Sequence, residues 1–469
     1  MNAPWLGTIA ALTAALAAVL LSPSIAAPAQ SPSLAPESAQ KIDAAATTAL
    51  AGFSAPGISV AVARDGALVY AKGLGLRDVA SAKPVDAATI FALGPITKQF
   101  TAAAIEMLAA SKKLSVDATV ATYLPNAPHA SEIRVRDLLR ETSGLPEYLT
   151  STNVAAFTSS AGVTPRQLLD SIAGKPLDFA PGTRFEASGT NYIALGAIIE
   201  AVSGQTYGAY INTQIAVPLG LTTLTFGPPP PSADRTTGYD VTQYDRPAQM
   251  WTAASTFASG GLYASAADVA KWDAAFFGFK LLPKTTVEDM MTPASADTTF
   301  ACGSFAETVD GHVAVWQRGG VPGASVINRW IPDLNAAVVV LANSLAFNPR
   351  EIARAATFAL EPKAVSVFED PANLARARAE YGAWQHGTVD PKRYGAAMQA
   401  LIASPAAREV SEELRSAGDP TSFAFEEQDA VPGGSAHRYR IETAHAAFAM
   451  TLVYKPGGPI VSINFTFLP

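Results

Sequence analysis

Cysteine is almost absent from this chain, since Cys302 is the only one among 469 residues. No intramolecular disulfide can therefore form, and the fold must rely on its hydrophobic core even in an oxidising compartment. A lone thiol can act as a nucleophile, but no neighbour of Cys302 in the sequence indicates thiolate activation. We interpret Cys302 as a small, partly buried residue.

Charged residues are also scarce. They make up 16% of the chain, against 49% hydrophobic residues, a composition that excludes a chain that stays unfolded. The formal net charge of -7 and the pI near 5.4 leave no positive surface that would indicate a nucleic-acid partner. A chain of this length exceeds what one core usually organises, so two or three structural units are expected.

Metal-binding spacings are missing as well. The sequence has no HExxH or CxxC pattern, and we predict neither a metal nor a cofactor. The histidines are few and scattered, and each is expected at the surface or in packing; they are His129, His312, His386, His437 and His445. After the N-terminus, no apolar stretch is long enough to span a bilayer.

The N-terminus lacks charged side chains through Gln30 and is apolar from Leu6 to Leu21. Followed by Ser24-Ile25-Ala26, this stretch predicts a signal peptide over residues 1–26, with cleavage after Ala26. We therefore expect an exported protein, periplasmic or secreted, in which residues 27–39 form a spacer. The missing Lys or Arg before the apolar stretch leaves a retained N-terminal anchor as the alternative.

Strand patterns lie at both ends of the segment 40–362, with helical patterns between them. Asp65-Gly66 predicts a hairpin turn, a helix is expected from Pro95 to Ala110, and Ser265 with Asp268 suggests a capping box. Two further strands are expected in "GHVAVWQRGG" and "AAVVVLANS". This order predicts an α+β fold, with a sheet completed by both ends of the segment and a lobe of helices.

Apolar periodicity lapses near residues 361–371, "EPKAVSVFEDP". Beyond that point, residues 371–384 and 391–402 are helical by pattern, and "HRYRIE", "AAFAMTLVY" and "IVSINFTF" are typical of strands. Residues 371–469 are therefore predicted to form a separate, small α+β domain.

Six blocks, in order, resemble the serine β-lactamase and penicillin-binding-protein-like superfamily, in particular its class C β-lactamase, esterase and DD-peptidase branch. They are "FALGPITKQFTAAAIEMLAASKKLSVDATVATYLP", "IRVRDLLRETSGLPEY", "PGTRFEASGTNYIALGAIIEAVSGQTY", "PLGLTTLTF", "ASGGLYASAADVAKW" and "RGGVPGASVINRWIPDLNAAVVVLAN". The resemblance implies an antiparallel sheet flanked by helices over residues 40–362. The C-terminal unit is more loosely similar to small cystatin-like or nuclear-transport-factor-like domains.

The first motif of that family is a serine that opens a helix, followed three residues later by a lysine. Residues i and i+3 share a helical face, so the ammonium lies beside the hydroxyl. In this sequence the serine position is Pro95, and the lysine is retained as Lys98. Proline has no hydroxyl, so the resemblance implies a lost nucleophile. Proline is well tolerated at the first helical position, so the change costs the fold little.

The second and third motifs of the family are altered too. In "FEASGTNY", the tyrosine and asparagine positions hold Ala187 and Gly189, and Ser188 stands between them. In "WQRGG", the position of the family's histidine or lysine is Arg318, whose guanidinium cannot exchange protons near neutral pH. Three altered motifs together predict that the usual catalytic route is lost.

A nucleophile elsewhere in the chain is the alternative to this interpretation. Ser143, in "ETSGL", follows the end of a helix and has no lysine three residues on. Ser111 precedes Lys112 and Lys113 but is expected in the exposed last turn of a helix. Neither has the spacing that activates a serine beside a lysine.

The leading hypothesis is a non-catalytic binding or regulatory protein for peptide-like or cell-wall ligands that carry a carboxylate. Its ligand site would comprise Lys98, Ser188, Arg318, Gly319 and Gly320. One alternative is an active hydrolase of esterase, amidase or β-lactam-cleaving type with a rearranged site. Another is a structural partner that associates through its C-terminal unit. For the cationic groups, the alternative is internal neutralisation by a carboxylate such as Glu186 or Glu141.

Overall fold

The turn Asp65-Gly66 connects the first two strands of the fold, β1 (Gly57–Arg64) and β2 (Ala67–Asp78), which pair antiparallel. Both turn residues have positive φ, 51° and 78°, as in the type I′ turn that matches strand twist. The predicted hairpin is confirmed.

In the computed structural model, the residues described are 33–51, 55–150, 152–160, 162–230, 234–240, 246–295, 297–360, 371–431, 434–454 and 458–468.

The strands form one large and two smaller sheets. The large sheet has the order β3-β2-β1-β10-β9-β8-β7, a four-stranded sheet has the order β11-β12-β13-β14, and a small one has the order β4-β6-β5. The remaining strands are β3 (Lys83–Pro84), β4 (Ile90–Ala92), β5 (Thr225–Phe226), β6 (Leu262–Ser265), β7 (Phe305–Val309), β8 (His312–Val321), β9 (Ala324–Ile331), β10 (Ala336–Ala342), β11 (Pro420–Val431), β12 (Gly434–Thr443), β13 (Ala447–Tyr454) and β14 (Ile460–Leu468).

The helices surround these sheets. They are α1 (Pro36–Ala51), α2 (Thr97–Ala110), α3 (Val135–Leu139), α4 (Val154–Ser159), α5 (Pro165–Asp170), α6 (Gly189–Ser203), α7 (Tyr207–Ile211), α8 (Val217–Leu219), α9 (Ala253–Gly260), α10 (Ala266–Phe276), α11 (Lys284–Met291), α12 (Arg350–Leu360), α13 (Pro371–His386), α14 (Ala396–Ile402) and α15 (Pro405–Ala417).

The first strand of the segment pairs with its last, because β1 lies between β2 and β10. Strand β10 reads "AAVVVLA" and is buried along its whole length. Since successive side chains point to opposite faces, alternate residues of β10 enter two different cores. Val338 and Val340 pack in the core that includes α1 and α12, whereas Val339 and Leu341 pack with α10 and the helical lobe. The large sheet is therefore covered by helices on both faces, as predicted.

The C-terminal residues form an additional domain around the four-stranded sheet. Its core is a separate cluster built from α13, α15 and the strands, with Trp384, Tyr439 and Phe448 fully or almost fully buried. The helix α15 and the strand β11 were not predicted from the sequence. In α15 the charged residues of "REVSEEL" obscure a sparse apolar stripe, of which Leu414 is buried.

Three strands of the large sheet were also missing from the sequence-based prediction, the two-residue β3 and the longer β7 and β9. Strand β9 reads "ASVINRWI" and is buried along its length although it contains Asn328 and Arg329. These polar residues interrupt the apolar pattern of a strand, so tertiary contacts, and not the local pattern, determine that this segment forms a strand.

The expected capping box at Ser265 is half formed. The Ser265 hydroxyl accepts from the Asp268 N–H, but the Asp268 carboxylate is engaged by Thr223 and Lys271.

Within the described part of the chain, no helix has the length and apolar character needed to cross a membrane. The predicted signal peptide (1–26) and residues 27–32 of the predicted spacer (27–39) lie outside the described residues, which begin at residue 33, whereas residues 36–39 of the spacer belong to α1. Those two predictions stay predictions.

Candidate functional site

Pro95 lies in a 3₁₀ turn, Gly94–Ile96, that leads directly into α2. This turn packs against the end of β8. A Cβ atom added to Gly319 would lie 3.2 Å from Pro95 Cδ and 2.5 Å from the Leu93 carbonyl oxygen, so only glycine allows so close an approach. The structure thus brings the first motif and the third motif together, with a pyrrolidine ring in place of a hydroxyl.

Lys98, the retained lysine, is paired inside the protein. Its Nζ lies 2.6 Å from Oε1 of Glu141, and the two side chains are 11% and 1% exposed. The same Nζ lies 5.1 Å from the centroid of the Tyr192 ring, a favourable cation–π geometry. Of the two carboxylates considered from the sequence, Glu141 is the partner of Lys98, whereas Glu186 pairs with Arg184 at 2.8 Å.

Burial raises the pKa of Glu141, while the charge of Lys98 and its hydrogen bond oppose that shift. The pair carries no net charge wherever the shared proton resides, so Lys98 contributes no net positive charge to a ligand site. Glu141 is also conformationally unusual, because its φ is 53°. Its second oxygen, Oε2, has no hydrogen-bond partner among the described residues.

The second motif stands at the start of α6. Ala187 is exposed, whereas Ser188 is 4% exposed and its Oγ has no hydrogen-bond partner among the described residues. The Gly189 N–H donates to Oε2 of Glu147 at 2.6 Å. A Cβ at Gly189 would lie only 2.9 Å from Tyr148 Cε1. The loop is therefore packed around a glycine and leaves no room for a larger side chain there.

The second motif adjoins the Lys98–Glu141 pair. The Glu186 N–H donates to the Glu141 carbonyl at 3.1 Å, and the backbone of Ser188 is among the groups that oppose the rise in the pKa of Glu141. The structure thus clusters Lys98, Glu141 and Ser188.

Arg318 lies on β8 and is exposed. Its backbone N–H donates to Oε1 of Gln317 at 2.9 Å. Strand β7 pairs with β8 only as far as Trp316, so the segment Gln317–Val321 has β9 on one side and the Gly94–Ile96 turn near the other. Among the described residues, no carboxylate forms an ion pair with Arg318, and no hydrogen bond joins it to Lys98.

The two rival serines are poorly placed for catalysis. Ser143 is fully buried and donates to Oδ1 of Asn191 at 2.5 Å. Ser111 is the C-terminal cap of α2, exposed as predicted, and its hydroxyl donates to the Leu108 carbonyl at 3.0 Å. Neither hydroxyl contacts Lys98.

Cys302 is buried, and burial raises the pKa of its thiol to about 12, which makes it unreactive. The histidines have local partners: for example, His129 contacts Glu132 and His312 contacts Asp333. In the described ranges, no group of three or more His, Cys, Asp or Glu side chains is arranged to hold a metal ion.

Two contributors to the site were missed in the sequence. Glu147 accepts from the start of α6, and Tyr192 covers the ammonium of Lys98. Tyr192 lies five residues after Ala187, on the buried face of α6, so its helical position was the available signal. Nothing in the sequence around Glu147 indicated a partner 42 residues away.

The chain is similar to several known proteins. A family model described as Beta-lactamase matches residues 42–361. The chain is 28% identical to the putative penicillin-binding protein PbpX of Bacillus subtilis over 62% of this chain and 71% of that protein. It is 31% identical to a putative D-alanyl-D-alanine carboxypeptidase of Escherichia coli O157:H7, over 37% of this chain and 44% of its relative.

Among solved structures, the octameric penicillin-binding protein homologue from Pyrococcus abyssi matches with a TM-score of 0.61 at 22% identity. The match covers 92% of this chain and 98% of the other, so the shared fold extends beyond residue 361 into the C-terminal domain. From residues 42 to 361, this chain belongs to the β-lactamase family.

Proposed function

We propose that this protein binds a carboxylate-bearing, peptide-like ligand reversibly, in the groove between the Gly94–Ile96 turn and the end of β8, and forms no acyl-enzyme. The observation that carries the proposal is the combination at this groove of Pro95, which has no oxygen to acylate, with Arg318, whose guanidinium is exposed and has no carboxylate partner among the described residues. A covalent route needs a nucleophile, whereas binding does not.

Arg318 is the main source of positive charge in this groove. Lys98 is neutralised by Glu141, and the first N–H groups of the turn are already used, since Ile96 and Thr97 donate to the carbonyls of Leu93 and Gly94. A guanidinium can hold a carboxylate with two parallel hydrogen bonds. One charged contact of this kind supports a modest affinity.

The edge of β8 supports a peptide-like ligand. Beyond Trp316, the strand has no pairing with β7, and an extended peptide can add to such an edge through main-chain hydrogen bonds. Similarity to a putative D-alanyl-D-alanine carboxypeptidase suggests a D-Ala-D-Ala peptide as the probe, because its C-terminus is a carboxylate.

Calorimetric titration with that peptide tests the binding proposal. We expect Arg318→Ala to weaken binding by about 1.5 to 3 kcal/mol, as for a charge-assisted hydrogen bond. Arg408→Ala, at an exposed position on α15, is the matched control, and a C-terminally amidated peptide is the matched ligand. Absence of binding by the wild-type protein, or unchanged binding by Arg318→Ala, would remove the proposal.

Intact-mass measurement after incubation with a labelled penicillin, an activated ester and a fluorophosphonate tests the loss of catalysis. We expect no adduct. The alternative function, an active hydrolase with a rearranged site, would have to use another hydroxyl, and Ser188 is the one that the second motif retains. Its Oγ is buried, which disfavours attack on a substrate. A stoichiometric adduct on Ser188, abolished by Ser188→Ala, would establish the alternative.

We also propose that the protein is exported, on the basis of the predicted signal peptide at residues 1–26. The N-terminal sequence of the protein recovered from the periplasm or the medium tests this. Cleavage after Ala26 supports the proposal, and an intact N-terminus in a membrane fraction would indicate a retained anchor.

A further inference from the structure

A cavity of about 380 Å³ lies between the large sheet and the C-terminal domain. One wall is formed by strands β7, β8 and β9 and the first turns of α12, and the other by strands β12 and β13. This cavity is separate from the groove at Pro95, because neither Pro95 and Lys98 nor Arg318 contributes to its lining.

Arginines dominate the charged lining of the cavity. Three carboxylates, Glu307, Asp310 and Glu351, face four guanidinium groups, which belong to Arg329, Arg350, Arg354 and Arg438. Arginine is therefore the most numerous charged residue type in this lining.

The carboxylates do not pair one to one with the arginines. Asp310 is shared, with Oδ2 lying 2.5 Å from Arg329 Nη1 and Oδ1 lying 3.4 Å from Arg354 Nε. Glu307 accepts a hydrogen bond from the indole of Trp316 at 3.0 Å. Arg438 instead pairs with Glu426, at 3.1 Å. Among the described residues, Arg350 has no carboxylate partner, so the cavity retains one guanidinium that its own carboxylates leave unpaired.

Arg329 provides the strongest sign of a missing partner. It is 4% exposed, yet its Nε has no hydrogen-bond partner among the described residues. A buried donor without a partner costs about 1 to 3 kcal/mol. Burial and, after it, the neighbouring charge of Arg438 lower the pKa of Arg354, against the charges of Asp310, Glu351 and Glu426. A bound anion would add a negative charge beside these guanidinium groups.

The remaining wall is aromatic and aliphatic. The Arg350 guanidinium lies 5.2 Å from the centroid of a Trp316 ring, and Ile327 and Val309 complete this surface. Such a surface suits an apolar or planar group next to the anionic one.

We propose that this cavity binds a small organic anion whose phosphate or carboxylate group contacts Arg329 and Arg350 while its apolar part lies against Trp316 and Ile327. The ligand would also approach Arg438 from the C-terminal domain, and it would thereby connect the two domains. Guanidinium groups bind phosphate and carboxylate oxygens through paired hydrogen bonds.

Titration calorimetry at constant ionic strength, with thermal unfolding as a second readout, tests this. The probes are phenyl phosphate, benzoate, inorganic phosphate and, as the neutral analogue, benzamide. We expect saturable binding of phenyl phosphate or benzoate with a rise in unfolding temperature, weaker binding of inorganic phosphate and none of benzamide. The tighter of the two aromatic anions identifies the anionic group. Equal responses to benzamide, or no saturable binding of either anion, would overturn the proposal.

Variants on the two sides of the cavity locate the site. Arg350→Ala and Arg438→Ala change side chains that are not fully buried, so both are expected to fold, and each should weaken binding at least tenfold. Arg408→Ala is the control and should bind as the wild type does. Wild-type affinity in either cavity variant would overturn the proposal. Since Arg318 lies outside the cavity, Arg318→Ala should leave this binding unchanged, which separates the result from that of the groove.

Discussion

At the scale of single residues, Glu141 removes the positive charge that Lys98 would otherwise contribute to the groove. Both side chains are almost fully buried, and removing one member of such a pair leaves an uncompensated buried charge. Glu141 also adopts a φ of 53°, so its backbone must be held by the surrounding structure. The pair therefore matters more for stability than for ligand binding.

We predict that Lys98→Met destabilises the protein by about 3 to 5 kcal/mol, measured by urea unfolding. Without the lysine, the largest group that opposes burial is gone, so burial and the charge of Glu147 raise the pKa of Glu141 further. A carboxyl with a raised folded-state pKa stabilises the protein at low pH, and this contribution is lost as pH rises. The loss of unfolding free energy caused by Lys98→Met should therefore be larger at pH 8 than at pH 5.

The double variant Lys98→Met with Glu141→Gln should recover part of that loss, because a neutral amide needs no counter-charge. Lys280→Met, at an exposed position, is the control and should have little effect. Strictly additive losses in the double variant would show that the two side chains do not interact.

Asp273 is a second buried acid, with no exposed surface. Burial raises the pKa of the Asp273 carboxyl well above its usual value, and the hydrogen bond from Asn328 opposes this rise only in part. Asp273 Oδ1 accepts from Asn328 Nδ2 at 2.7 Å, while Asp273 Oδ2 and Asn328 Oδ1 have no partner among the described residues. Because burial penalises the charged form of the carboxyl and only one of its oxygens has a partner, we infer that Asp273 is protonated and neutral.

We predict that Asp273→Asn stabilises the protein relative to the wild type at pH 8 and less so at pH 5. In the wild type, the folded-state pKa of Asp273 is raised. The contribution of Asp273 to stability is therefore fully present below the unfolded-state pKa and is lost as the pH rises towards the folded-state pKa. Thermal unfolding across pH 4 to 9 measures the difference, with Asp297→Asn as the exposed control. A pH dependence unchanged in Asp273→Asn would contradict this account.

Among the elements, the start of α2 shows how the fold accommodates Pro95. Proline inside a helix costs about 3 kcal/mol or more, but in the turn Gly94–Ile96 its missing N–H is not needed. The same turn packs against β8. A proline at position 95 is therefore compatible with an intact α2.

We predict that Pro95→Ser restores little or no ester hydrolysis. The new hydroxyl would stand beside a lysine already bound to Glu141, and Ala187 and Gly189 supply neither a phenol nor an amide. Hydrolysis of p-nitrophenyl esters, compared with the wild type and with Pro95→Ala, measures this. Robust turnover by Pro95→Ser would show that Lys98 alone suffices to activate a serine.

Rebuilding the second motif meets a steric obstacle. Any side chain at Gly189 would approach Tyr148 within 2.9 Å, and the Tyr148 hydroxyl is fixed by its bond to the Ser255 carbonyl. The motif has thus been repacked around its altered residues.

For the whole molecule, the main organisational feature is the C-terminal domain with its own core. Trp384 donates to the Tyr394 hydroxyl at 2.8 Å, and Tyr394 donates to the buried carboxylate of Glu380 at 2.5 Å. Arg393 completes this network with a contact of 2.6 Å to Glu380. These contacts are all internal to the domain.

We predict that a fragment of residues 371–469 folds by itself, because its core is separate and its size suffices to bury one. A cooperative thermal transition by circular dichroism is the expected result, and residues 33–362 serve as the companion fragment. A fragment without a cooperative transition would show that the domain depends on the large sheet and would contradict the predicted boundary.

Much of the fold could be predicted from the sequence where local patterns were strong. The Asp65-Gly66 hairpin, the apolar strand β10 and the helix ending at Gly204 follow from turn chemistry and apolar periodicity. Strand β9 could not be predicted, because Asn328 and Arg329 are buried through contacts with distant residues.

The sequence by itself determined which atoms the site lacks. Pro95 has no hydroxyl, Ala187 no phenol and Gly189 no amide, and no folding can supply a missing covalent group. Tertiary structure decided where the charges go. The distance of 43 residues between Lys98 and Glu141 says nothing about their contact, which exists only because α2 and the loop after α3 are packed together. In the folded protein, Glu141 compensates the charge of Lys98, whereas Arg318 is exposed. Solvent access and ion pairing are both properties of the fold.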